Sequence, residues 1–208
     1  MMTTALLSTT YFGPVQWYQK LCRADRVLME QCESFQKQTF RNRSVIATAN
    51  GTQALTVPVM SPHDTRQAPV RDIRISDHGN WRHLHWQAIA TAYGDSPFFD
   101  YYQDDLRPFF EHRWTFLFDF NEAIRETMCE LLDIHPMVDY TESYLPAAPT
   151  DDTLTDYRAT ICPKHPAPDP DFAVRPYYQV YAARHGFLPN LSVIDLLLNM
   201  GPEAVFWL

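Results

Sequence analysis

The chain has 208 residues, 46% of them hydrophobic and 20% charged, a composition ordinary for a globular chain and long enough for one sizeable core. Its formal net charge is −8, which makes it a poor general nucleic-acid binder, because duplex affinity comes from many phosphate contacts on one basic face. No apolar run reaches the length of a membrane span, and Met1–Leu7 lacks the basic residue and the length of a signal peptide, so a cytoplasmic protein is expected.

Thr4–Phe12 is uncharged and rich in Leu, Thr and aromatic residues, Gly13-Pro14 interrupts it, and Val15, Tyr18, Leu21 and Cys22 recur at helical spacing. Val27-Leu28-Met29 follows as a short apolar run, so the chain opens as strand, helix, strand. That opening places a crevice after the first strand, where α/β proteins commonly bind ligands. Asn50-Gly51 lies between Ser44–Ala49 and Thr52–Val59 and predicts a hairpin with a two-residue type I′ turn, pairing Ile46 with Leu55 and setting Pro58 opposite Arg43.

Trp81, Leu84, Ala88, Ile89 and Ala92 predict a helix over about 81–93, with capping residues between Asp77 and Asn80. A second helix is expected from near Pro97. A third spans about Arg113 to Leu132, with Leu117, Phe120, Ile124, Met128 and Leu131 on one stripe. Tyr144 to Asp171 is rich in Pro, Asp and Thr and reads as a surface excursion, partly disordered and dispensable for folding. Ser192-x-x-Asp195 reads as a capping box and Gly201-Pro202 as the end of its helix. The expected fold is a single α/β domain, with a mixed sheet holding the β-α-β opening and the hairpin, flanked by helices.

Cys22, Cys32, Cys129 and Cys162 are scattered and read as reduced thiols, and Cys162 with His165 lacks the further ligands of a structural zinc site. No metal is expected, and the pattern names no cofactor. Residues 1–43 carry Lys20, Arg23, Arg26, Lys37, Arg41 and Arg43 against Asp25, Glu30 and Glu33, so six minus three gives +3 and leaves −11 for the rest. A local cation cluster suits a small anionic substrate, such as a nucleotide-linked one.

The segment from Gly186 to Pro202, Gly-Phe-Leu-Pro-Asn-Leu-Ser-Val-Ile-Asp-Leu-Leu-Leu-Asn-Met-Gly-Pro, resembles the closing signature of WbqC-like proteins. Tyr11-Phe12-Gly13-Pro14, Arg41-Asn42-Arg43, Asn80-Trp81 with His85, and Asp119-Phe120-Asn121 agree with it in order. The chain departs from longer members in having Ser8-Thr9 where they carry Gln-Pro, and in lacking their glycine-containing region before the closing signature. The resemblance implies a role in bacterial surface-polysaccharide biosynthesis, with a transferase acting on a nucleotide-activated sugar as the reaction class. A non-catalytic metabolite- or protein-binding domain is the alternative.

Candidate site residues follow from these stretches. Arg41 and Arg43 alternate along a strand, so both can face one way and hold a phosphate or carboxylate. Asn121 falls beside the apolar stripe of its helix, where an amide needs a partner. Asn190 stands near a helix N-terminus, a ready anion site. His85 is the residue suited to act as general base, bordering an accessible cavity shared with these groups, and Tyr11 forms a wall of the crevice. Each also has a structural reading: surface cations, a core amide, a packed histidine. No Walker, G-x-G-x-x-G, G-x-S-x-G or H-E-x-x-H pattern occurs.

Overall fold

The computed structural model describes residues 2–60, 68–146 and 153–208. Four parallel strands form the central sheet: β1 (Thr4–Ser8), β2 (Arg26–Glu30), β5 (Val138–Tyr140) and β6 (Leu154–Asp156), in the order β5-β2-β1-β6. β1 lies inside the sheet, and its Ala5-Leu6-Leu7 core is buried, as expected for a parallel strand covered on both faces.

α1 (Val15–Arg23) makes the crossover between β1 and β2. Every residue from Val15 to Leu21 is buried, including Gln16, Gln19 and Lys20, so this helix is wrapped on all sides and its polar residues need internal partners. α7 (Val193–Met200) is likewise buried from Val193 to Asn199. Its sequence is apolar nearly all round, which is the pattern of a core helix.

The hairpin forms from β3 (Arg43–Thr48) and β4 (Gly51–Thr56), but as a separate two-stranded sheet rather than an extension of the parallel one. Its turn differs from the type I′ expectation. Arg43 pairs with Thr56 and Thr48 with Gly51, and of the turn residues only Gly51 takes positive φ, at 108°. The glycine therefore follows the bend instead of forming its second corner, as in a turn closed by a glycine bulge. The register moves by two residues, so the same side chains still face inward.

α2 (Trp81–Tyr93) has the expected bounds, yet its buried stripe is Trp81, His85, Ile89, Ala92 and Tyr93, while Leu84 is exposed. Asn80 precedes it without a side-chain capping bond. α3 (Phe99–Leu106) and the short α4 (Pro108–Glu111) follow, and α5 (Leu117–Leu131) buries Leu117, Phe120, Asn121, Ile124 and Met128. α6 (Ala182–His185) is a single turn.

The expected surface excursion is only partly that. Residues 147–152 lie outside the described residues, but β6 pairs with β1 through Thr4–Leu154, Ala5–Thr155 and Leu6–Asp156. Further along, Asp169 meets Lys20 at 2.8 Å with both side chains 5% exposed. A segment that completes the sheet and neutralises a buried lysine belongs to the fold.

Candidate functional site

The loop from Thr9 to Pro14, between β1 and α1, gathers most of the stretches singled out in the sequence. Tyr11 and Phe12 are fully buried. The Phe12 carbonyl accepts from Ser44 Oγ at 3.0 Å and from Ser192 Oγ at 2.9 Å, and the Gly13 carbonyl accepts from the Val193 amide. A Cβ on Gly13 would lie 2.4 Å from Thr10 Oγ1, so only glycine lets the loop close on itself.

Tyr11 is no crevice wall; its hydroxyl is 2.9 Å from His85 Nδ1 and its ring stacks on Phe120. His85 is 7% exposed, packed between Tyr11 and Trp81. Burial pulls its pKa down to about 4, against a hydrogen bond to the Thr56 backbone that raises it. A neutral ring enclosed by aromatic neighbours holds Tyr11 in place, and none of the cavities described below is lined by it. The expectation of an accessible general base is therefore corrected: burial rotates His85 from the edge to the middle of the helix's apolar face.

Asn190 is a helix cap supplied from elsewhere in the chain. Its Oδ1 accepts from the Gln16 amide at 2.9 Å and its Nδ2 donates to Gln16 Oε1, while the Leu191 carbonyl takes the Val15 amide. Pro14 cannot cap α1 with a side chain, and Asn190 supplies the missing acceptor at the position a cap would serve. The helix that follows Asn190, α7, also has its first amides engaged by the protein, Val193 with the Gly13 carbonyl and Ile194 with Ser192 Oγ. Asn121 donates from Nδ2 to the Arg41 carbonyl at 2.8 Å, the satisfied core amide, although its Oδ1 is buried without a partner.

The two arginines do not converge. Arg41 precedes β3 and turns to Glu33, which it grips through Nε and Nη2, with a further bond from Nη2 to Ser8 Oγ at 2.9 Å. Arg43 opens β3, and its Nε is buried without a hydrogen bond.

What the sequence reading did not pick out is a cluster at the carboxyl edge of the sheet. Glu30, fully buried at the end of β2, accepts from the Cys32 amide, Thr141 Oγ1 and the Leu145 amide, and lies 3.4 Å from Arg158. Arg158 holds Asp156 at the end of β6 through Nε and Nη2, and the Asp156 hydrogen bond leads the causes that raise the guanidinium pKa. Arg158 also lines a narrow crevice of about 10 Å3, with Ser8, Thr9, Thr10, Arg41 and Tyr157 among others. Thr9 and Thr10 line it, and their Oγ1 atoms are buried with no hydrogen-bond partner within the protein. The chain leaves β1 towards β2 on one side while β6 lies on the other, so the crevice sits where the strand order reverses, the usual ligand position in open α/β sheets. One signal was legible: a carboxylate, Glu30, ending the apolar run Val27-Leu28-Met29.

Asp195 does not reciprocate in a capping box. Ser192 caps α7 by accepting from the Ile194 amide, but Asp195 turns inward to Tyr177, Gln179 and Tyr93, at 2.7, 2.8 and 2.9 Å. Burial raises its pKa despite these three donors. Among the described residues no group of His, Cys, Asp and Glu could hold a metal ion, and the four cysteines are free thiols. No helix among them is long and apolar enough to cross a membrane.

These features define an α/β protein with a parallel sheet and a polar crevice at its carboxyl edge. The chain belongs to the WbqC-like protein family, whose family model matches residues 9–167. The match takes in the Tyr11, Arg41, Asn80 and Asp119 stretches and ends before the Gly186–Pro202 segment. The chain is also similar to the uncharacterized protein Rv1507c of Mycobacterium tuberculosis (strain ATCC 25618 / H37Rv), at 25% identity across 98% of this chain and 96% of that protein. No solved structure matches.

Proposed function

We propose that the chain is an enzyme of bacterial surface-polysaccharide biosynthesis, a transferase that acts on a nucleotide-activated sugar at the carboxyl-edge crevice. The observation that carries this reading is the pair of buried, unpartnered hydroxyls of Thr9 and Thr10 beside the Arg41 and Arg158 guanidinium groups. Buried polar groups are nearly always satisfied, and the crevice, at about 10 Å3, has room for a single oxygen such as that of a water or a phosphoryl group, so the rest of a nucleotide sugar would lie outside its mouth. Hydroxyls are donors, which suits a phosphoryl oxygen of a small anionic substrate, while the Arg41 and Arg158 guanidinium groups beside them are already paired, with Glu33 and with Asp156 and Glu30.

The packed His85 favours a second reading, a domain that binds a metabolite without turnover. A thermal-shift screen against nucleotide sugars, followed by an assay for released nucleoside diphosphate, separates the two. A ligand that binds the folded chain raises its melting temperature. Thr9→Val should remove that shift while leaving the unliganded melting temperature nearly unchanged, since an orphan hydroxyl contributes little to folding. A shift without diphosphate release supports the binding domain, and a screen with no shift removes the nucleotide-sugar reading.

A further inference from the structure

A second cavity, on the far side of α2 from the buried face of His85, has a different composition. It is a half-open groove of about 510 Å3 between the start of α2 and the short α4, within the usual size of ligand pockets. Asn80, Arg82, His83, Gln87, Arg107 and Glu111 supply its polar groups, and Trp86 and Phe110 its aromatic ones. Trp86 is half-buried, stacked on Phe99 and packed at a tilt against Phe110, and so is a fixed surface rather than a mobile one.

Two features say what this groove fits. Its charges are paired off within the protein: Arg82 holds Asp77 through Nη2, and Arg107 donates to Glu111 at 2.6 Å. No cation is left in excess for a phosphate, apart from Arg82 Nε, which is buried without a partner. The second feature is Asn80, an exposed lining residue that stands at the N-cap of α2 but makes no capping bond, so its amide is not committed to the helix. Amide, guanidinium and carboxylate groups are planar and offer pairs of donors or acceptors, which match the vicinal hydroxyls of a sugar ring. An aromatic wall beside them meets the ring's C–H face. We infer that this groove binds a neutral saccharide, at a site separate from the crevice, with which it shares no lining residue. Saccharide binding here does not rest on the transferase reading.

The test is ligand-observed saturation-transfer NMR on the full chain with glucose, galactose and N-acetylglucosamine, and with inorganic phosphate as competitor. At least one sugar should bind. Gln87→Ala and Arg107→Ala, both exposed positions, should each weaken it by about three- to tenfold, the weight of one hydrogen bond, with no change in melting temperature. Neither variant should alter a thermal shift produced by nucleotide sugars. Failure of all three sugars to bind overturns the inference, as does binding untouched by both variants or displacement of the sugar by phosphate. A nucleotide-sugar shift that persists when the sugars fail leaves the crevice reading intact. Sugar binding without any nucleotide-sugar shift keeps the groove and removes the transferase.

Discussion

At the scale of single residues, the candidate site divides by how far each polar group is already engaged. Arg41 and Glu33 have side chains 6% exposed and are joined through two nitrogens. Removing one partner strands a buried charge, which typically costs about 3–5 kcal/mol. Arg41→Met is therefore expected to destabilise strongly in urea unfolding, while Arg41→Met with Glu33→Leu recovers most of the loss. Equal costs for the single and double variants would show that the pair contributes little. His85 makes a distinct prediction. Its pKa is about 4 when folded against an ordinary value of 6.5, so the unfolded chain binds the proton first as pH falls. The stability due to neutral His85 is whole above about pH 6.5 and is lost on descent to about pH 4, roughly 3 kcal/mol in all. His85→Gln should flatten the pH profile of stability in that window relative to the parent chain; parallel profiles would remove His85 as its source. The sequence signalled that His85, Asn121 and Asn190 mattered, but periodicity places a side chain on a face without naming its partner. Tyr11 lies 74 positions from His85, and Gln16 lies 174 from Asn190.

At the scale of elements, the β-α-β opening, the hairpin and the helices at 81–93 and 117–131 were legible, because each is written in local periodicity and punctuated by Gly or Pro. The short strands β5 and β6 were not. Each has three residues, too few for alternation to register, and β6 lies within a stretch whose composition reads as loop. The capping of α1 shows the same limit from another side, since its acceptor comes from the Pro189–Leu191 turn. Asn190 holds φ at 51° there, a region that Asn tolerates better than most residues. Asn190→Ala loses both the cap and that tolerance. It should cost about 1 kcal/mol for the cap alone, measured as a lowered urea midpoint, whereas Asn190→Asp, which keeps the acceptor, should cost less. Equal losses would point to the bond from Nδ2 to Gln16 as the part that matters.

At the scale of the whole molecule, the uneven charge of the sequence is resolved by pairing across the chain. Lys20 meets Asp169, Arg26 meets Asp139, and Arg158 reaches Glu30. Lys20 and Arg26 of the basic first segment are thus drawn onto acids that arrive much later, while the late Arg158 returns to the early acid Glu30, and burial decides which of these pairs matter. Arg26 and Asp139 are about half exposed, so theirs is a weak surface contact. Lys20 and Asp169 are enclosed; burial works against the Asp169 charge, but hydrogen bonds from Lys20 and Gln16 hold its pKa below the ordinary range. The late segment also closes the sheet, since without β6 the edge of β1 would present unpaired backbone groups beside the buried Leu6 and Leu7. Thr155, paired with Ala5 at the middle of β6, is the position at which to test this. Proline there cannot supply an amide hydrogen to a ladder, so Thr155→Pro should open the β1 edge and free the segment that carries Arg158 and Asp169. The expected result is self-association in size-exclusion chromatography, with new proteolytic cleavage between residues 153 and 171. Thr155→Val, which suits a strand, should leave both unchanged. A Thr155→Pro chain that elutes with the parent and stays protected would mean that β6 merely rests on a sheet complete without it, and the crevice between β1 and β6 would then lose its fixed far wall.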